Sequence, residues 1–137
     1  MDVSDVIYRI NPSVTNDELN ALFAAAWLEH SWHDFHSILN RSLAFVCAYR
    51  AERLVGFVNL AWDGGIHTFI LDTTVHPSVR RCGIGRQLVR QAVAVARVSG
   101  IVWLHVDFEP NLRDFYKQCG FQNTEAGLMR LEPSNRT

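Results

Sequence analysis

Between residues 66 and 106 the chain reads as strand, turn, helix and strand, and that order dictates a parallel strand pair. Ile66 to Val75 is rich in apolar and β-branched residues and is halted by Pro77. Ile84, Leu88, Val89, Ala92, Val93, Val95 and Ala96 then recur with a helical period. Gly100 follows, a residue able to close a helix in the left-handed conformation. Ile101 to Val106 is nearly continuous in apolar residues, the pattern of a strand covered on both faces. Strands joined through a helix lie side by side in the same direction, so these two form a βαβ unit.

The connection into the helix is Arg80-Arg81-Cys82-Gly83-Ile84-Gly85. A helix start leaves several backbone N–H groups without intrahelical partners, and the helix dipole adds partial positive charge there. Gly83 and Gly85 let a ligand approach the main chain, while Arg80, Arg81 and Arg86 supply fixed positive charge. The turn therefore suits a phosphate or pyrophosphate. The same glycines would also serve a plain loop ahead of a surface helix.

Upstream, Val6 to Ile10 reads as a short strand ended by Asn11-Pro12. Thr15 with Glu18 makes a capping box that opens a helix to about Glu29, with Leu19, Leu22, Phe23, Ala26 and Trp27 on one face. His33 to Arg41 reads as a second short helix. Leu43 to Arg50 and Leu54 to Trp62 form a hairpin across Ala51-Glu52-Arg53, and the Asp63-Gly64-Gly65 turn leads into the third strand of a meander. Downstream, Pro110 opens a short helix ending near Gln118. Phe121 and Leu128 to Leu131 supply one or two closing strands, and Pro133 to Thr137 form a frayed tail. The expected fold is a mixed α/β sheet, an antiparallel N-terminal meander joined to a central parallel strand pair with flanking helices, in one domain over residues 1–137.

Composition excludes more than it assigns. A net charge of −1 with mixed charges argues against a nucleic-acid binder. No apolar stretch is long enough to span a bilayer, and Met1-Asp2-Val3-Ser4-Asp5 lacks the basic start of a signal peptide, so no membrane role and a cytoplasmic location are expected. Cys47, Cys82 and Cys119 are odd in number and lack metal-ligand spacing, which reads as free thiols in a reducing compartment.

Two blocks at the right separation carry a family resemblance. Val75-His76-Pro77 followed by Arg80-Arg81-Cys82-Gly83-Ile84-Gly85 resembles the [Gln/Arg]-x-x-Gly-x-[Gly/Ala] pyrophosphate loop of the GNAT superfamily of acyl-CoA N-acyltransferases. Phe115-Tyr116-Lys117-Gln118-Cys119-Gly120-Phe121 resembles that family's aromatic-Tyr-x-x-x-Gly-Phe block. The resemblance implies a GNAT-like fold and an N-acetyltransferase that moves an acetyl group from acetyl-CoA to a primary amine by direct attack in a ternary complex. It implies that the amides of Arg81, Cys82, Gly83, Ile84, Gly85 and Arg86, beside Arg80, hold the pyrophosphate. The pantetheine arm would pair with the backbone of Thr73, Thr74 and Val75, and an N–H near Val75 would stabilise the tetrahedral oxyanion. Asn111 is the counterpart of a family Asn that steadies the CoA arm, although it stands closer to Tyr116 than usual.

Tyr116 is then the general acid for the departing CoA thiolate. Some family members use a Glu early in the central strand as general base; that position here is Phe69. Asp72 is the alternative, because a carboxylate in an apolar strand is either paired with an Arg or loop backbone, or used. His76 reads as a turn residue and Asp107 as a helix cap near the cleft, Glu109 is another carboxylate, and a water relay needs no side chain. The acceptor pocket should involve Trp27, Glu29, Trp32 and Asp107, whose aromatic and acidic character suits a small amine or a peptide amine. His30, His33 and His36 share a spacing that invites a metal, yet a zinc site needs more fixed ligands, so no metal is expected. A short closing strand would leave an edge that a second copy could complete as a homodimer. The competing reading is a non-catalytic acyl-CoA-binding module. A dinucleotide site fails because position 88 is Leu where a third Gly is required.

Overall fold

A computed structural model of the chain describes residues 5–132. The chain forms two compact units, the first ending at Val106 and the second starting at Asp107. In the first unit the strands are β1 (Ile7–Ile10), β2 (Ser42–Arg50), β3 (Arg53–Trp62), β4 (His67–Val75) and β5 (Trp103–His105). They form one sheet in the order β1-β2-β3-β4-β5, antiparallel through β4 and parallel between β4 and β5. The helices are α1 (Asn16–Ala26), α2 (His36–Leu39) and α3 (Ile84–Val98). The mixed sheet with its terminal parallel pair is the architecture expected from the sequence.

Local chemistry accounts for most boundaries. Thr15 accepts the Glu18 amide at 3.1 Å while the Glu18 carboxylate takes the Thr15 amide at 3.1 Å, so the capping box opens α1. The β2–β3 hairpin turns on Ala51 and Glu52, both left-handed at φ 48° and 65°. That is the mirror-image turn matching strand twist, made here without glycine or asparagine. β3 is buried on both faces. Leu19, Leu22 and Phe23 of α1 meet Cys47, Tyr49 and Phe57 on one side. On the other, Gly56 lies under α3, where a Cβ would sit 3.0 Å from Leu88 and 3.2 Å from Ile84.

Several sequence expectations are corrected. α1 ends at Ala26 rather than near Glu29, and α2 spans only His36–Leu39, because residues 27–35 form a loop stitched by Asn20. β5 is not a buried strand: Trp103 is 60 % exposed and His105 is exposed, since β5 is an edge strand of the sheet. In the second unit, Pro110–Leu112 is a 3-10 turn leading into α4 (Arg113–Gln118). Phe121 and Leu128 to Leu131 form no strand, and Leu128, Met129 and Leu131 are exposed. The frayed tail expected over Pro133 to Thr137, and Met1 to Ser4, lie outside the described residues.

Candidate active site

β4 and β5 pair only at His67–Trp103, Thr68–Leu104 and Phe69–His105. Beyond Phe69, β4 continues to Val75 with β3 on one flank and, among the described residues, no strand paired on the other. A bulge against β3 follows in the same stretch of β4. Asn59 faces Leu71 and Phe57 faces Thr74, so Val58 alone opposes Asp72 and Thr73, and Asp72 is left-handed at φ 59°. The sheet thus opens as a fork lined by Leu71 to Val75, where an extended ligand can add its own hydrogen bonds to the strand.

The fork holds one unsatisfied group. The hydroxyl oxygen of Thr73 is buried and has no hydrogen-bond partner among the described residues. Buried polar atoms are nearly always paired, so an orphan at this position points to a partner outside the chain. Thr74 is satisfied, its hydroxyl donating to the Asp72 carbonyl at 2.8 Å and lying 3.4 Å from the Trp27 indole N–H.

At the C-terminal end of β4, His76 caps a 3-10 turn (Pro77–Val79) by accepting the Ser78 amide at 3.1 Å. It is the turn residue the sequence suggested. The Arg80–Gly85 segment follows. Arg81 is left-handed at φ 63°, and Gly83, the N-cap of α3, is left-handed at φ 82° with no side-chain cap. The first backbone bond into α3 runs from Gln87 N–H to Gly83 C=O at 3.1 Å, so the amides of Ile84 and Gly85 precede the helical ladder. A Cβ at Gly83 would meet nothing within 4 Å. The turn is therefore open around Gly83. Arg80 anchors it by donating to the Ala26 carbonyl at 3.2 Å, while Arg81 and Arg86 are exposed and Cys82 is half-buried.

The loop 27–35, where the sequence reading looks for the acceptor, is tied down by Asn20. Asn20 donates to the Asn16 and His33 carbonyls at 2.8 and 2.9 Å and accepts the His33 amide at 2.9 Å. His30 sits 2.9 Å from the same Asn20 oxygen. His30 and His33 thus lie on a loop, not on a shared helical face. Trp27 and Trp32 are 52 % and 63 % exposed, so these aromatics are surface features rather than core. Glu29 is exposed beside them.

Asp72 lies in β4 but is exposed at the bulge rather than buried among its apolar neighbours. Its carboxylate takes no hydrogen bond or ion pair among the described residues. Desolvation by the surrounding protein raises its pKa, and the nearby His33 works in the opposite direction. Cys47 is fully buried, and burial pushes its thiol up to about 12, which removes it as a nucleophile.

Asp107, Asn111 and Tyr116 belong to the second unit. Tyr116 is buried, its ring stacked on Phe108 at 4.9 Å and set edge-on to Phe115 and Phe121. Asn111 is exposed in the 3-10 turn. Asp107 does not cap the following helix, since Glu109 stands at the N-cap without a side-chain bond. The sequence reading missed the His67–His105 contact (2.8 Å) and the stacking of His105 on Phe69. Strand alternation at β4 with a parallel β5 would have brought these residues to one face, had the register been known.

Comparison with known proteins follows the same lines. The profile of the Acetyltransferase (GNAT) family matches residues 12–121, a span that crosses both units. The chain is 26 % identical over 126 residues to GCN5-related N-acetyltransferase 1, chloroplastic, of Arabidopsis thaliana, covering 90 % of this chain and 64 % of that protein. Among solved structures, an acetyltransferase of Trypanosoma brucei superposes with a TM-score of 0.80 at 19 % identity, covering 94 % of this chain and 100 % of the other. The aminoglycoside N-acetyltransferase AAC(6')-Iy in complex with CoA superposes at 0.75 with 19 % identity, covering 94 % and 95 %.

Proposed function

Since this chain belongs to the GNAT acetyltransferase family, we propose that it transfers an acetyl group from acetyl-CoA to a primary amine by direct attack in a ternary complex. One observation carries this reading: β4 parts from β5 beyond Phe69, runs on through the Asp72 bulge, and leads through a short turn into the glycine-capped start of α3. The pantetheine arm would lie along Thr73, Thr74 and Val75, giving the Thr73 hydroxyl a partner. The pyrophosphate would rest on the amides from Arg81 to Arg86, where the helix dipole and the arginines favour a dianion. The relative solved with CoA supports this assignment of the co-substrate.

Tyr116 is the proposed acid that protonates the CoA thiolate, and Asn111 a second-unit contact for the CoA arm. Asp72 is the proposed carboxylate for the incoming ammonium. Ionised, it draws the cation toward the fork. Trp27, Glu29, Trp32 and Asp107 are the proposed acceptor contacts, suited to a small amine with an apolar body.

The test is thiol release from acetyl-CoA across a panel of amines, with calorimetry for CoA binding and Tyr116→Phe as control. Turnover with at least one amine, reduced by roughly 10²-fold or more in the Tyr116 variant, supports the reading. CoA binding without turnover on any amine favours a non-catalytic binding module, a reading that the apolar Phe69 in the strand supports.

A further inference from the structure

One wall of the fork carries a pair of imidazoles that nothing above uses. His67 Nδ1 and His105 Nε2 lie 2.8 Å apart, with ring centroids separated by 5.0 Å. His105 also stacks on Phe69, centroids 4.4 Å apart and planes inclined by 20°. Phe69 and His105 form the last paired position before β4 and β5 separate, so the two imidazoles stand at the crotch of the fork. Alternation puts His67, Phe69, Trp103 and His105 on the face of the sheet that also packs α1. His105 is exposed and His67 half-buried, so a ligand can reach them.

The short contact fixes the chemistry. One of the two facing nitrogens must carry hydrogen and the other must be bare. In the neutral pair, if His67 donates from Nδ1, its Nε2 is bare; if His105 donates from Nε2, its Nδ1 is bare. Either tautomer leaves one outward lone pair. Uptake of one proton there converts the pair into imidazole and imidazolium with the shared hydrogen bond intact. Stacking on Phe69 fixes the plane of His105, so the lone pair keeps its direction. Imidazole exchanges protons near neutrality, which an acceptor ammonium requires.

We infer that the His67–His105 pair is a base for the acceptor amine, standing beside Phe69 where a strand carboxylate is missing. The inference rests on the acetyl-transfer reading. The ammonium gives one proton to the outward nitrogen of the pair, and its freed lone pair attacks the thioester carbonyl carbon to form the C–N bond. The tetrahedral adduct collapses with cleavage of the C–S bond. The nitrogen loses its second proton, which balances the one taken up by the CoA thiolate, and the pair returns its proton to water. One proton is released overall. The charged group coupled to the pair is Asp63 in the β3–β4 turn, which acts on His67, while Asp72 and His33 act on each other at the bulge.

The experiment uses the full chain with acetyl-CoA and the best amine of the panel. His105→Asn and His67→Asn are compared with Asp72→Asn in kcat/KM profiles from pH 5 to 10. Both His variants should lose roughly 10²-fold at neutral pH, regain rate as alkali deprotonates the amine, and keep the wild-type KM for acetyl-CoA. A nitrogen-15 NMR titration of the imidazoles should show the two rings sharing one proton uptake in the wild type. The inference is overturned if His105→Asn keeps the wild-type profile, or if the two rings titrate independently. If wild-type protein acetylates no amine, the transfer reading falls too, an outcome distinct from an active enzyme whose His variants behave normally.

Discussion

Adding one methyl group at either of two glycines should separate folding from ligand binding. At Gly56 the new carbon would lie 3.0 Å from Leu88 Cδ1 and 3.2 Å from both Ala48 Cβ and Ile84 Cγ2. Carbon atoms prefer about 3.5–4.0 Å, so three packed neighbours must each retreat by about half an ångström. Overpacking of this kind destabilises by about 1–3 kcal/mol. Burial of the methyl offsets about 0.8 kcal/mol, and a stiffer unfolded chain about 0.4–1 kcal/mol. Gly56→Ala should therefore lose about 0.5 kcal/mol at the middle of these ranges, with an unchanged denaturant slope. At Gly83 the methyl meets nothing within 4 Å, but φ is 82°, and a left-handed non-glycine residue costs about 1–2 kcal/mol. The exposed loop can relax out of that strain by turning its amides away from the ligand. Gly83→Ala should then weaken CoA binding by roughly 5- to 30-fold, as calorimetry would measure, and shift the urea midpoint little. Gly83→Ala binding CoA as tightly as wild type, or Gly56→Ala unfolding at the wild-type midpoint, would refute the reasoning.

Glu52→Gly should raise the urea unfolding free energy by about 0.5–1 kcal/mol, because it removes a left-handed non-glycine residue from the β2–β3 turn; a loss of stability would count against that turn. Asp72→Asn bears on pH: a carboxyl raised in the fold contributes stability below its unfolded pKa and loses it as pH rises through the folded value. The Asn variant should thus gain on wild type between acid and neutral pH while losing activity, and a flat difference in urea midpoints would contradict this. Asn20→Ala deletes the bonds tying α1 to His33 and should destabilise by about 1–3 kcal/mol, with faster proteolysis of the 27–35 loop as the local readout. Thr73→Val should leave thermal stability unchanged or higher, since its hydroxyl is already unpaired in the fold, and should weaken acetyl-CoA binding.

Elements set by local rules were legible from the sequence. The Thr15–Glu18 box, the Ala51–Arg53 hairpin turn and the α3 periodicity each depend on residues close together in the chain, and each occurs as read. The bulge was not legible. Asp72 takes a left-handed conformation because β3 and β4 accommodate an extra residue between fixed pairings, and pairing register is not written in one strand alone. β5 misled for a related reason: its apolar run resembles a buried strand, yet it lies at an edge of the sheet with Trp103 open to solvent. Tyr116 and the Arg80–Gly85 turn were singled out through motif context, while the imidazole pair needed the β4–β5 register.

The kink at residue 72 ties architecture to reactivity. The left-handed turn of the backbone at Asp72 that fits an extra residue against β3 also brings the proposed catalytic carboxylate to the surface. A replacement that prefers ordinary extended geometry would strain the bulge as well as erase the charge, so most substitutions change shape and chemistry together. Asparagine, which tolerates the left-handed region, is the substitution that isolates the charge, and glycine the one that isolates the bend.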